Sequence, residues 1–181
     1  GRLQRMMEDM GFSFRLGAKT KEITGEGKVS GVSLESGEHL DAGMVVISAG
    51  VRPNLSFAKE LGVEIDKGIK VDDHLRTSRP EVYAAGDVVE FKGMLYGIWP
   101  AALEQGRVAG MNMAGQGTTY GGTTPANTLK VVGIDLGSAG EIDAENKFQS
   151  RVVSDGNLYK KAVIDGNRII GCIMLGNTSN F

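Results

Sequence analysis

Thr77-Ser78-Arg79-Pro80-Glu81-Val82-Tyr83-Ala84-Ala85-Gly86-Asp87 is the stretch on which the fold turns. Val82-Tyr83-Ala84 reads as a short apolar strand running directly into Gly86-Asp87. That order delivers a carboxylate at the carboxyl end of a parallel strand, where open α/β sheets bind ligands. Gly86 allows a close backbone approach, and Asp87 can accept two hydroxyl hydrogen bonds. Taken alone, the pattern is equally that of an ordinary turn after a strand.

Upstream, Leu3, Met6, Met7 and Met10 recur at the spacing of one helix face and Gly11 stops them. A chain that opens inside a helical pattern suggests that Gly1 is an artificial or processing boundary with sequence before it. Phe12 to Leu16, Lys19 to Ile23, Val29 to Leu34 and His39 to Leu40 read as short extended segments. Gly25-Glu26-Gly27 and Ser36-Gly37-Glu38 supply hairpin chemistry between the later ones. Met44-Val45-Val46-Ile47 is a continuous apolar run of the kind buried on both faces of a parallel sheet. Pro53 forbids Arg52 the helical region, so a domain crossover is expected at Gly50 to Asn54.

Downstream, Ser56 to Leu61 reads as a short helix capped by Asn54 or Ser56, and Ile69 to Val71 as a strand. Pro100 to Met113 is the longest predicted helix, with Pro100 suited to its first turn and Gly115 just past its end. Gly117 to Pro125 is rich in Gly and Thr, hence a predicted linker. Leu129 to Leu136, Gly140 to Ile142, Gln149 to Val153, Tyr159 to Ile164 and Arg168 to Leu175 then read as strands of a small antiparallel unit. Asp165-Gly166-Asn167 is its clearest turn.

Composition narrows the classes. The hydrophobic fraction of 41% supplies a core, and 20 Lys and Arg against 22 Asp and Glu, without a block of like charge, argue against nucleic acid or an anionic membrane as partner. A single cysteine, Cys172, cannot form an internal disulfide, and its apolar neighbourhood marks it as core. No run of about 18 apolar residues occurs, so no membrane association is expected and the cytoplasm is the default compartment. Asp72-Asp73-His74 could tempt a metal reading, but adjacent strand residues point to opposite faces and a surface turn is expected. Glu104 and Arg107 read as a solvated helix pair. Asn54-Leu55-Ser56 and Asn177-Thr178-Ser179 match the glycosylation acceptor pattern by chance.

The order of motifs carries more. A buried strand is followed by Ser48-Ala49-Gly50-Val51-Arg52-Pro53-Asn54, then Ile69-Lys70-Val71-Asp72, the Thr77 to Asp87 window, and Trp99-Pro100-Ala101-Ala102-Leu103-Glu104-Gln105-Gly106-Arg107. This order resembles the two-dinucleotide flavoproteins of the pyridine nucleotide-disulfide oxidoreductase family. Within it the likeness is strongest to NADH:rubredoxin reductases, NADH oxidases and the flavoprotein part of NADH-dependent nitrite reductases.

That resemblance implies an α/β chain in three parts. Residues 1–51 would be the tail of an NAD(P)H-binding domain, 52–116 the second half of a Rossmann-like FAD-binding domain, and 117–181 a small α+β C-terminal interface domain. The implied cofactors are FAD and NAD(P)H. Asp87 would hydrogen-bond the ribityl chain, with the backbone of Gly86 and Val88 facing the pyrophosphate. The first turn of the long helix, at Trp99, Pro100, Ala101 and Ala102, would face the flavin pyrimidine edge, where a helix N-terminus favours negative charge. Arg52, on the crossover, is a further cofactor-side candidate. Trp99 could instead contact the C-terminal domain or fill the joint before the helix.

The implied activity is hydride transfer from NAD(P)H to FAD and on to an acceptor such as rubredoxin, oxygen or a nitrite-reducing centre, in a chain that could form a homodimer. The alternative is a non-catalytic structural or oligomerisation module without bound flavin. Neither of the family's glycine-rich phosphate loops is present: Gly25-Glu26-Gly27-Lys28-Val29-Ser30-Gly31 has the wrong last spacing and continues as a strand. The histidine and glutamate pair used by disulfide reductases is absent too, which disfavours that chemistry.

Overall fold

The computed structural model describes residues 1–131 and 133–178. It divides into two compact units, Gly1–Val51 and Arg52–Phe181.

The first unit opens with helix α1 (Arg2–Glu8), followed by the antiparallel meander β1 (Thr20–Gly25), β2 (Val29–Leu34) and β3 (His39–Asp41). The Gly25 to Gly31 string is the turn from β1 into β2, paired from Thr20↔Leu34 to Gly25↔Val29. It is a hairpin, not a phosphate loop. The expected strand at Phe12 to Leu16 does not form.

Met44 to Ile47, expected as a buried parallel strand, is the larger departure. It belongs to no strand, and Met44, Val46 and Ile47 are 79%, 78% and 75% exposed. A continuous apolar run becomes a buried strand only when flanking strands take its backbone groups and layers cover both faces. The first unit supplies neither.

The second unit begins with α2 (Ser56–Leu61), where Asn54 Oδ1 accepts hydrogen bonds from the Ser56 amide at 3.1 Å and its hydroxyl at 2.9 Å. A three-stranded sheet follows. β4 (Ile69–Val71) runs parallel to β5 (Val89–Phe91), and β5 pairs antiparallel with β6 (Met94–Leu95). Helix α3 (Trp99–Met113) buries Ala101, Gln105, Val108, Ala109 and Asn112, residues spaced to share one face. The core is Leu75, Val89, Phe91, Val108, Ala109 and Tyr120. Full burial of side chains such as Leu75 and Val108 stabilises the fold by about 1.5 to 3 kcal/mol each.

Five antiparallel strands complete the unit in the order β7-β8-β11-β10-β9: β7 (Ala126–Val131), β8 (Ile134–Gly140), β9 (Gln149–Asp155), β10 (Leu158–Asp165) and β11 (Arg168–Leu175). Gly166, φ 57, turns β10 into β11, with Asp165 paired to Arg168. The strand expected over Leu129 to Leu136 is instead the hairpin of β7 and β8, because Gly133 at φ 80 reverses the chain. Val132 within that expectation, and Ser179 at the end of the second acceptor pattern, lie outside the described residues. Of the expected Gly140 to Ile142 strand only Gly140 is in a strand, as the last residue of β8, and Glu141 and Ile142 lie beyond its end. Lys161 on β10 and Asp143 in the loop after β8 are both buried, with Nζ 3.8 Å from the carboxylate and donating to the carbonyls of Ile142 and Asp143 at 3.0 and 3.1 Å.

Two further expectations change. Val82 to Ala84 is no parallel strand: Glu81 at φ 65 folds the chain back, so Tyr83 bridges Arg76 and the Ala84 amide donates to the Leu75 carbonyl at 3.1 Å. Asp87 therefore sits not at the carboxyl end of a parallel strand but in the turn entering β5. The Gly117 to Pro125 stretch is no loose linker either, since Tyr120 is 1% exposed and its amide donates to the Asp73 carbonyl at 2.7 Å. His74 belongs to the same seam. Its Nδ1 lies 2.9 Å from the Thr118 carbonyl, which can only accept, so that nitrogen carries the hydrogen. Asn112 Nδ2 donates to the carbonyls of both His74 and Thr118.

Candidate functional site

The Val89 amide donates to the Gly86 carbonyl at 3.0 Å, which closes a tight turn with Asp87 and Val88 at its centre. Gly86 has φ 91, in the left-handed region. A Cβ added there would meet only Ala102 Cβ, at 4.0 Å, so glycine is required for its backbone angle and not for room. The Gly86 amide donates to Gln105 Oε1 at 2.8 Å. The amides of Asp87 and Val88 donate to nothing among the described residues, and the exposed Asp87 carboxylate accepts no hydrogen bond there. The Val88 carbonyl accepts from Ile69 at 2.7 Å and ties the turn to β4.

The proximity of Gly86 to Ala102 and Gln105 brings the first turns of α3 to this corner. Ile98 precedes α3 in extended conformation, φ −131 and ψ 142, and no side chain caps the helix. Ala102 donates to the Ile98 carbonyl at 3.1 Å, and Pro100 has no N–H. The amides of Trp99 and Ala101 thus stand at an uncapped, partially positive helix end. Ala101 turns its methyl into the core at 1% exposure and offers only backbone. Trp99 is 76% exposed and fills no joint within the unit.

Of the residues singled out from the sequence, Gly86, Asp87, Val88 and the first turn of α3 share this corner. Arg52 is exposed at the start of the unit, and among the described residues no hydrogen bond or ion pair joins it to the corner. Gln105 escaped the sequence reading, although a glutamine within the apolar stripe of α3 was a visible sign that a buried polar group needed partners. Glu104 is not the expected partner of Arg107. Its Oε2 accepts from the Thr123 hydroxyl at 2.8 Å, while Arg107 reaches the Met111 sulfur. Cys172 is a half-buried free thiol on β11. Among the described residues no group of three or more His, Cys, Asp or Glu side chains could hold a metal ion, and no helix is long and apolar enough to cross a membrane.

Residues 1–106 match the family described as pyridine nucleotide-disulphide oxidoreductase. The chain belongs to that family. Residues 125–181 match the rubredoxin NAD+ reductase C-terminal domain. The chain is 35% identical to the NAD(P)H nitrite reductase of Bacillus subtilis over 180 residues, covering 98% of this chain and 22% of that protein. It is 37% identical to the NADH-rubredoxin oxidoreductase of Clostridium acetobutylicum over 149 residues, 78% of this chain and 39% of the relative. An FAD-dependent pyridine nucleotide-disulphide oxidoreductase from Desulfovibrio vulgaris superposes with a TM-score of 0.78 at 29% identity, over 96% of this chain and 47% of that one. The chain therefore spans less than half the length of each of these three relatives.

Proposed function

We propose that this chain is the C-terminal part of an FAD-dependent NAD(P)H oxidoreductase and that the Gly86–Asp87 corner is its half of the flavin site. The observation that carries the reading is a carboxylate that is exposed and, among the described residues, without a partner, beside two amides that donate to nothing there and an uncapped helix end, all held on a buried core. In a folded protein such groups fit a polyhydroxyl and phosphate ligand, because hydroxyls donate to the carboxylate and anionic oxygens accept from amides. The match of residues 1–106 to the family supports it.

Asp87 would hold the ribityl hydroxyls, and the Asp87 and Val88 amides would face the pyrophosphate. The first turn of α3, at Trp99 to Ala102, would set positive potential against the ring edge where negative charge develops. When bound, flavin supplies the redox chemistry, accepting a hydride from NAD(P)H and releasing electrons to rubredoxin, oxygen or a nitrite-reducing centre. The match to the rubredoxin NAD+ reductase C-terminal domain favours a small redox protein as the acceptor.

A second reading, a structural module without flavin, is favoured by the absence of both glycine-rich phosphate loops from the sequence. Flavin absorbance and NADH oxidation, measured on the 181-residue chain and on the longer protein of its genomic locus, separate the two. The chain alone is expected to lack tight FAD and activity, and the longer protein to have both. A longer protein that purifies colourless and takes up no added FAD overturns the flavin reading.

A further inference from the structure

Glu104 and Gln105 are neighbours on α3, so their side chains diverge by about 100° around the helix, yet they are joined by a circuit of hydrogen bonds outside it. Glu104 Oε2 accepts from Thr123 Oγ1 at 2.8 Å, Thr123 Oγ1 lies 2.8 Å from the Tyr120 hydroxyl, and Gln105 Nε2 donates to that hydroxyl at 3.4 Å. The other end of the Gln105 amide, Oε1, accepts from the Gly86 amide at 2.8 Å. Gln105 and Tyr120 are each 1% exposed.

The circuit has one direction. An ionised carboxylate can only accept, so the single hydrogen of Thr123 is committed to Glu104. Thr123 must then accept, and the Tyr120 hydroxyl donates to it. The Tyr120 oxygen in turn accepts from an N–H of Gln105, which requires Nε2 on that side and Oε1 towards Gly86. Burial raises the Tyr120 phenol above its ordinary pKa, against the opposing effect of its bonds to Thr123 and Gln105, and so keeps it a donor. An inverted amide would set Nε2 against the Gly86 N–H, donor against donor, and the left-handed turn at Gly86 would lose its anchor.

We propose that Gln105 is a positioning residue for the Gly86–Asp87 corner, and that Glu104, acting through the Thr123 and Tyr120 hydroxyls, dictates which end of its amide meets Gly86. The ligand consequence rests on the flavin reading above; the geometry does not. Gly86 is then an anchored residue and no ligand donor, leaving the Asp87 and Val88 amides to the ligand. The 117–125 segment, at the entry to the five-stranded sheet, becomes part of the apparatus that shapes the corner.

Amide hydrogen exchange and the 15N shift of Gly86, read by NMR on the 181-residue chain, test this without flavin. Thr123→Val should speed Gly86 exchange about tenfold or more, the loss of one buried hydrogen bond, while Val108 and Ala109 in the same helix change by less than about twofold. Thr123→Ser should restore the wild-type rate, and Glu104→Leu should reproduce the valine effect through a different side chain. Unchanged Gly86 exchange in both disruptive variants overturns the proposal. A rise shared equally by Val108 and Ala109 overturns it as well, since that is general loosening. The failure of the flavin reading is a separate event, seen as a colourless longer protein whose Gly86 amide still responds to Thr123→Val.

Discussion

Replacing Asp87 with alanine should leave the fold intact and remove the flavin, and the structure predicts both sizes. The carboxylate is exposed and accepts no hydrogen bond among the described residues. Its loss should therefore change stability by no more than about 0.5 kcal/mol, a shift in Tm of about 2 °C or less for a chain of this size. Against a ribityl chain, as proposed, the same carboxylate would accept two charge-assisted bonds, each worth about 1.5 to 3 kcal/mol. Loss of both weakens binding by about 3 to 6 kcal/mol, or roughly 10² to 10⁴-fold. Asp87→Asn keeps an acceptor of the same shape without the charge and should fall between. The assay pairs thermal unfolding of the 181-residue variants with flavin-to-protein ratio and FAD titration of the longer protein. Full flavin retention with an unchanged Kd in Asp87→Ala refutes the assignment and leaves an ordinary turn. A Tm loss of more than about 5 °C refutes the premise that the carboxylate is idle in the fold.

Limited proteolysis should cut first between Ala42 and Leu55, where Met44, Val46, Ile47 and Val51 are exposed outside any element, and leave a fragment starting near Arg52. A first cut within Gly117 to Pro125 would contradict the burial of Tyr120. Tyr120→Phe should cost about 1 to 3 kcal/mol at neutral pH, because the Gln105 Nε2 loses its acceptor. Burial holds the Tyr120 pKa above 10.0 in the folded chain, so the native state keeps this proton longer than the unfolded state. The stability it contributes is complete below about pH 10 and is lost as pH rises further. The difference in unfolding free energy between wild type and Tyr120→Phe should shrink above that pH, and a constant difference to pH 11 would sink the argument. Lys161→Ala strands the buried Asp143 carboxylate and two loop carbonyls, for a loss of about 3 to 5 kcal/mol; a denaturant titration showing less than about 1 kcal/mol would remove this pair from the account.

The amino-acid sequence by itself determined the elements whose signals are local. The helix of Trp99 to Met113 was legible from Pro100, an apolar stripe and a terminal glycine, and the β10–β11 hairpin from Asp165-Gly166-Asn167, because caps, turns and periodicity act within a few residues. It also carried the family, through motifs strung in a fixed order from Val46 to Arg107. Tertiary structure alone decided the rest. Met44 to Ile47 and Val82 to Ala84 read as strands by composition, yet a strand exists only when another backbone takes its hydrogen bonds, and that is a property of distant chain. Tyr120 looked like linker because glycine and threonine surround it, while its burial depends on Phe91 and Val108 being there to receive it. The partner of the Gly86 amide is 19 residues away, and Gln105 shows its oxygen rather than its nitrogen only because a circuit of hydroxyls closes on Glu104. Hydrogen-bond direction is set by the last acceptor in such a chain, and no local pattern encodes where that acceptor sits.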